Sequence, residues 1–150
     1  MKKIYPILIL IVVVIFAFSC GNSKKAVTIT DAEKEAFKQV EGDTIEIVNA
    51  EVEYEIIIIE PGFNIWLQSV ARPEGYYSQS FMENRNQLMV MEWNRRVLQS
   101  DFFDPNLYEL QIDYRQGIDY GYEVNYKLYN YFIYFQRKYR QRLGPFFPRI

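Results

Sequence analysis

The chain has 150 residues, with 17 Lys+Arg, 19 Asp+Glu, one cysteine and no histidine. Lack of histidine excludes Ser-His-Asp and Cys-His catalysis, imidazole metal ligation and the usual proton shuttle near neutral pH. One cysteine excludes an internal disulfide and a cysteine-rich zinc site, and 26 aromatic residues supply one core in a chain too short for two ordinary domains.

Met1-Lys2-Lys3 is a short positive start to an apolar run from Ile7 to Phe18. Twelve residues span roughly 18 Å as a helix, short of the ~30 Å bilayer core. The run therefore predicts a secretory signal over residues 1–19. Ala17-Phe18-Ser19-Cys20 resembles the lipobox of bacterial lipoproteins, with Phe18 bulkier than that pattern prefers. The resemblance implies that the Cys20 thiol is diacylated, the peptide is cut before it and the new amine is acylated. Three acyl chains exceed what stable membrane attachment needs. The alternative is an uncleaved anchor with an incidental cysteine. In both cases Lys2 and Lys3 stay inside and the body lies outside the cytoplasm.

Residues 20–30 read as a tether, small and polar at Gly21-Asn22-Ser23, and residues 31–150 as a single domain. Residues 20–150 carry a formal charge of −4, unevenly spread. Segment 24–60 has a net −6, whereas segment 137–149 holds five Lys/Arg and no acid.

Thr30-x-x-Glu33 forms a capping box that opens a helix over 31–41, with Ala32, Ala36, Phe37 and Val40 at helical spacing. Ile45 and Ile47 alternate with polar neighbours in a strand at 44–49. The β-branched run Ile56–Ile59 predicts a central strand at 53–60, covered on both faces and ended by Pro61-Gly62. Phe63, Trp66, Leu67 and Val70 form one stripe of a helix at 62–71. Ser80-x-x-Glu83 reads as a second capping box, for a helix at 79–99. Tyr108, Leu110, Ile112 and Tyr114 alternate with polar residues and predict a third strand at 107–115. A last helix covers 123–143, closed by Gly144-Pro145. The sum is an α+β fold with a small antiparallel sheet of about three strands packed with helices.

The last helix carries two apolar stripes. Leu128, Tyr131, Phe132, Phe135 and Tyr139 make one, the expected core; Tyr126, Tyr129 and Ile133 make a nearly opposite one. The second stripe and Trp93 are candidates for a binding surface, because tyrosine covers large area at small rotamer cost. Self-packing of the same stripe is the competing expectation. No catalytic constellation, metal set or cofactor motif emerges. Glu92, Asp101, Asp104, Asp113 and Asp119 are acids of the aromatic half, but nothing in their spacing sets an acid–base pair. Asp113, Asp119 and Glu123 lack the calcium-loop pattern, and Gly117-x-x-x-Gly121 lacks the ending of a P-loop. Arg137-Lys138-Tyr139-Arg140-Gln141-Arg142 reads as a solvated helix end or an anionic-lipid contact, export making nucleic acid an improbable partner.

Tyr54-Glu55-Ile56-Ile57, Pro61-Gly62-Phe63-x-x-Trp66-Leu67, Tyr76-Tyr77-Ser78-Gln79-Ser80, Glu92-Trp93-Asn94 and Ile118-Asp119-Tyr120-Gly121-x-x-Val124-Asn125-Tyr126 resemble uncharacterised lipoproteins of Bacteroidota-type bacteria, a domain of unknown function. The likeness covers about residues 43–144 and implies a lipid anchor and one domain, with no activity or cofactor. Gly21-Asn22-Ser23-Lys24-Lys25 lacks the acidic export run of surface-displayed relatives, which favours the periplasmic side of the outer membrane. The expected function is a non-enzymatic, membrane-tethered interaction or structural module with an envelope protein or glycan as partner. A glycan-binding lipoprotein using exposed aromatics is the alternative, and a carboxylate hydrolase the least favoured.

Overall fold

Thr30 does what its spacing from Glu33 predicts. In the computed structural model, which describes residues 27–42, 44–50 and 54–150, the Thr30 hydroxyl accepts from Glu33 N at 3.3 Å. In return Thr30 N donates to Glu33 Oε2 at 2.8 Å. Helix α1 then runs Asp31–Phe37, shorter than the expected 31–41. Val40, counted in its stripe, is exposed, so another turn would bury nothing. The signal at 1–19, Cys20 and most of the tether lie outside the described residues. Thr28, at the tether's end, already lies against the body, its carbonyl accepting from Arg137 Nη2 at 2.8 Å.

Strands β1 (Thr44–Asn49) and β2 (Tyr54–Ile59) pair antiparallel, from Thr44 opposite Ile59 to Asn49 opposite Tyr54. Ile45, Ile47 and Ile58 are buried on the face turned to the helices. Ile57 is 54% exposed and Ile59 69%, so β2 is not the central strand covered on both faces that the isoleucine run suggested. The sheet has two strands among the described residues, not about three.

The expected strand at 107–115 is absent because α3 (Gln79–Val97) takes its hydrogen bonds instead. Trp93 Nε1 donates to Leu110 O at 2.9 Å, and Asn94 bonds both main-chain groups of Ile112. Its Nδ2 donates to Ile112 O and its Oδ1 accepts from Ile112 N, each at 2.8 Å. One carboxamide thus supplies what a neighbouring strand would have supplied. Neither the ladder nor the full alternation survives: the chain bends at Tyr108 and Leu110, and Leu110 is exposed while Tyr108 is buried.

Helix α2 (Phe63–Ser69) buries Phe63 and Trp66 completely. It starts at Gly62, whose φ of 82° lets α1 approach so closely that a Cβ there would stand 1.9 Å from Ala36 O. The N-cap of α3 is Ser78, which accepts from Phe81 N at 3.2 Å; Ser80 lies inside the helix and is not the cap.

Helix α4 (Gly121–Lys138) is the axis of the core. It packs against α3 on one side and against β1 and α2 on the other, which is why both its stripes are buried. Tyr134 meets Phe37, Phe63 and Trp66, while Phe135 meets Trp93 and Tyr108. Leu128, Phe132 and Phe135 are at most 1% exposed, as expected of them. The helix stops before the expected 143. Arg140 adopts φ 53°, and Gln136 Oε1 takes the Leu143 amide at 2.7 Å, pulling the chain off the helical path.

Candidate functional site

A cleft of about 750 Å³ runs between the outer edge of β2 and the segment 106–113. Its volume lies in the range of ligand-binding pockets. Trp93, Tyr131, Phe135 and the inward isoleucines Ile56 and Ile58 line its apolar part. Its acids are Glu60, Glu109 and Asp113, and no lysine or arginine lines it among the described residues.

Each wall follows from the local fold. β2 bonds β1 on one side, so alternate peptide groups on its other side face the cleft. Segment 106–113 spends the Leu110 and Ile112 peptide groups on Trp93 and Asn94. Glu109, Gln111 and Asp113 alternate with them in a chain that bends at Leu110 and turns at Asp113, where Tyr114 N donates to Ile112 O at 3.2 Å. None of those three peptides has a hydrogen-bond partner among the described residues. The cleft is a slot between the open edge of β2 and a bent segment whose Leu110 and Ile112 groups are bonded to α3.

Two of the three acids are already paired with cations of the same chain. Glu60 is held by Lys138 Nζ at 2.7 Å and by the Tyr139 hydroxyl at 2.8 Å. Asp113 bonds Arg115 at 2.9 Å in the open. Glu109 lies exposed on the rim. Burial, and then the negative charge of Glu60, push the Tyr131 phenol above its ordinary value, so it stays neutral and protonated. Burial likewise raises Tyr139, whose hydroxyl donates to Glu60.

The sequence-derived candidates are distributed differently. Tyr126, Tyr129, Ile133 and Trp93 are between 5% and 7% exposed, and form no open patch. Tyr129 stacks edge-on against Tyr77 and Phe81, and the Tyr126 hydroxyl donates to Arg72 O at 2.8 Å. The sandwich of α4 between α3 and the sheet overturns their reading as a binding surface. Of these, Trp93 alone lines the cleft, and its ring makes T-shaped contacts with Tyr108 and Phe135.

Glu92 is clamped by Arg95 and Arg96 rather than poised as an acid. The hydrogen bond from Arg95, opposed by burial and reinforced by Arg96, holds its carboxyl below the ordinary value. Asp104 accepts from Asn106 N, as a turn residue does. Asp119 accepts from Gly121 N at the start of α4. No group of three or more His, Cys, Asp or Glu that could hold a metal occurs among the described residues. Cys20 lies outside them. The basic run at 137–142 is solvated only in part: Arg140 and Arg142 are exposed, but Arg137 is buried against Glu33 and Lys138 reaches Glu60.

The sequence did not reveal Glu60, Glu109 and Tyr131 as neighbours. The acid-bearing phase of the 107–115 alternation was visible, but nothing local says which side of that segment faces β2.

A small α+β domain with an acid-rimmed slot along its sheet edge is the class these features define. The chain belongs to the family of unknown function DUF6146, whose sequence profile matches residues 8–146. No curated protein and no solved structure matches it.

Proposed function

We propose that the protein is a membrane-tethered lipoprotein of a bacterial cell envelope, anchored through Cys20, and that its body is a non-enzymatic interaction module. The observation that carries the second half is the slot itself. It lies along the open edge of β2, and two of its three carboxylates are engaged by cations of the same chain. Such a surface is suited to holding a partner. The rings a sugar would stack on are occupied by other rings, which favours a protein partner over a glycan. The lipobox-like Ala17–Cys20 supports the anchor, and the non-acidic stretch after it supports the periplasmic face of the outer membrane.

Mass spectrometry of the membrane fraction tests the anchor. The expected result is an N-terminal lipopeptide starting at Cys20, with Cys20→Ser leaving unlipidated precursor. An unmodified Cys20 thiol in mature, membrane-bound protein overturns it. A photo-crosslinking residue at Leu110, which is 77% exposed beside the slot, tests the module. One dominant adduct from native envelopes is expected, and its loss from every slot position would remove the module reading.

A further inference from the structure

We infer that the chain after α4, residues 139–150, is the face with which the body lies on the membrane, its arginines meeting the headgroups of anionic phospholipids. The inference rests on the anchor at Cys20 and is independent of the slot.

Three observations converge. The first is where the unpaired charge lies. Among the described residues, every arginine without a carboxylate partner belongs to this segment or touches it. Arg140, Arg142 and Arg149 are part of it, Arg85 stands over the Phe146 ring, and Arg72 donates to Ile150 O. The other described cations each hold a carboxylate. Residues 139–150 contain no acid. The cleft of about 410 Å³ that they form with α3 is lined by Arg85 and Arg149 and by no Asp or Glu.

The second is the company these arginines keep. Phe146 and Phe147 are 39% and 41% exposed, and each lies under a guanidinium: Arg85 at 3.1 Å from the Phe146 centroid and Arg142 at 4.7 Å from that of Phe147. Exposed rings interleaved with cations suit the boundary between headgroups and acyl chains.

The third is where the tether arrives. Arg137 donates through Nη1 to Pro148 O at 2.9 Å and through Nη2 to Thr28 O at 2.8 Å, so the tether reaches the body beside this segment. Cys20 stands eight positions before Thr28, which keeps the anchor within about 29 Å of it. A domain of this size is about 35 Å across. The near face therefore meets the membrane with chain to spare, and the far side only at full stretch. The acids of α1 beside the tether, Asp31 and Glu35, are paired with Lys34 and Lys38. Each arginine at an anionic surface adds about fivefold to the contact, and the tether makes the contact intramolecular, so a few suffice.

The test uses the full chain, lipidated and purified from its own membranes, in vesicles of phosphatidylglycerol and phosphatidylcholine mixed one to three. Acylation of Cys20 leaves an introduced thiol as the one that takes a nitroxide label. Phe147→Cys carries it on the docking face, and Ile57→Cys, on the outer face of the sheet, carries it as control. A label at Phe146 repeats the reading should Phe147→Cys disturb the segment. Collision with a water-soluble relaxation agent is expected to be at least fivefold weaker at 147 than at 57. The difference should vanish on phosphatidylcholine alone and in molar sodium chloride. Arg140 and Arg149 are exposed and bond nothing among the described residues. Arg140→Gln with Arg149→Gln should leave the melting temperature unchanged and reduce the docked-to-free ratio at least tenfold.

Equal accessibility of the two labels on the mixed vesicles overturns the inference. Protection that persists on phosphatidylcholine alone, or survives the double glutamine change, also overturns it, because the contact would then not be made to anionic headgroups. If Cys20 carries its lipids while both labels are equally open, the anchor stands and the docking face is wrong. If the membrane-bound chain has a bare Cys20 thiol, the anchor falls and the inference with it.

Discussion

Glu33 and Arg137 make the chain's most consequential side-chain pair. Glu33 is fully buried and the Arg137 side chain 5% exposed, and both guanidinium Nε and Nη2 donate to the carboxylate. Thr30 and Trp66 Nε1 also donate to the carboxylate, and Arg137 Nη1 reaches Pro148 O at 2.9 Å. Burial pushes the Glu33 carboxyl up, but the bonds from Arg137 and Thr30 outweigh it and hold the carboxyl below its ordinary value. A lowered folded value means the pair stabilises fully above about pH 4.5 and is lost as pH falls through the folded value. Glu33→Gln should therefore lower stability at neutral pH and flatten the acid side of a melting temperature–pH curve. Arg137→Met should cost about 3–5 kcal/mol in denaturant titration, because it leaves a buried carboxylate unpaired. An unaltered acid limb in Glu33→Gln would show that the charge is not sensed. The capping half of Glu33's role is legible from Thr30-x-x-Glu33; its pairing with a residue 104 positions away is not.

At the scale of elements, periodicity revealed each helix and both strands, because a face that must be buried prints its spacing on the sequence. It overcounted the sheet, because alternation records extended conformation and leaves the bonding partner unstated. Asn94 and Trp93 took the place of a strand at 107–115, and no propensity announces a side chain that will do so. Asn94→Ala should cost about 1–3 kcal/mol and accelerate exchange of the Ile112 amide, since it strips that half-buried N–H of its partner and leaves Ile112 O only the bond from Tyr114 N. The α3 amides should be unaffected. The isoleucine run separates in the same way. Ile58→Ala should cost about 2–4 kcal/mol, as it empties a packed site. Ile57→Ala, on the open face, should cost well under about 1 kcal/mol. Equal costs at the two positions would mean that the outer face of β2 is covered in solution.

Across the whole molecule, the charge gradient visible in the sequence is closed by folding. The acidic segment 24–60 and the basic segment 137–149 meet at two places, Glu33 with Arg137 and Glu60 with Lys138. The chain after α4 then acts as a strap. Leu143 is fully buried, its amide donating to Gln136 Oε1, and the Arg142 carbonyl accepts from Arg96. Further on, Pro148 accepts from Arg137, which also holds Thr28, so both described ends of the chain converge on one guanidinium. Removing residues 143–150 should therefore do more than trim a tail. It empties the Leu143 site, at about 2–5 kcal/mol, and strands one buried donor of Arg137, at about 1–3 kcal/mol. The expected fall in melting temperature is on the order of 10 °C or more. Removing Arg149 and Ile150 alone takes away the exposed bond from Arg72 to Ile150 O at 3.2 Å and the half-buried Ile150 side chain, and should lower it by clearly less than the longer deletion. If the longer deletion melts with the full chain, the strap is not part of the cooperative unit. The stability of the body would then rest on α3, α4 and the sheet.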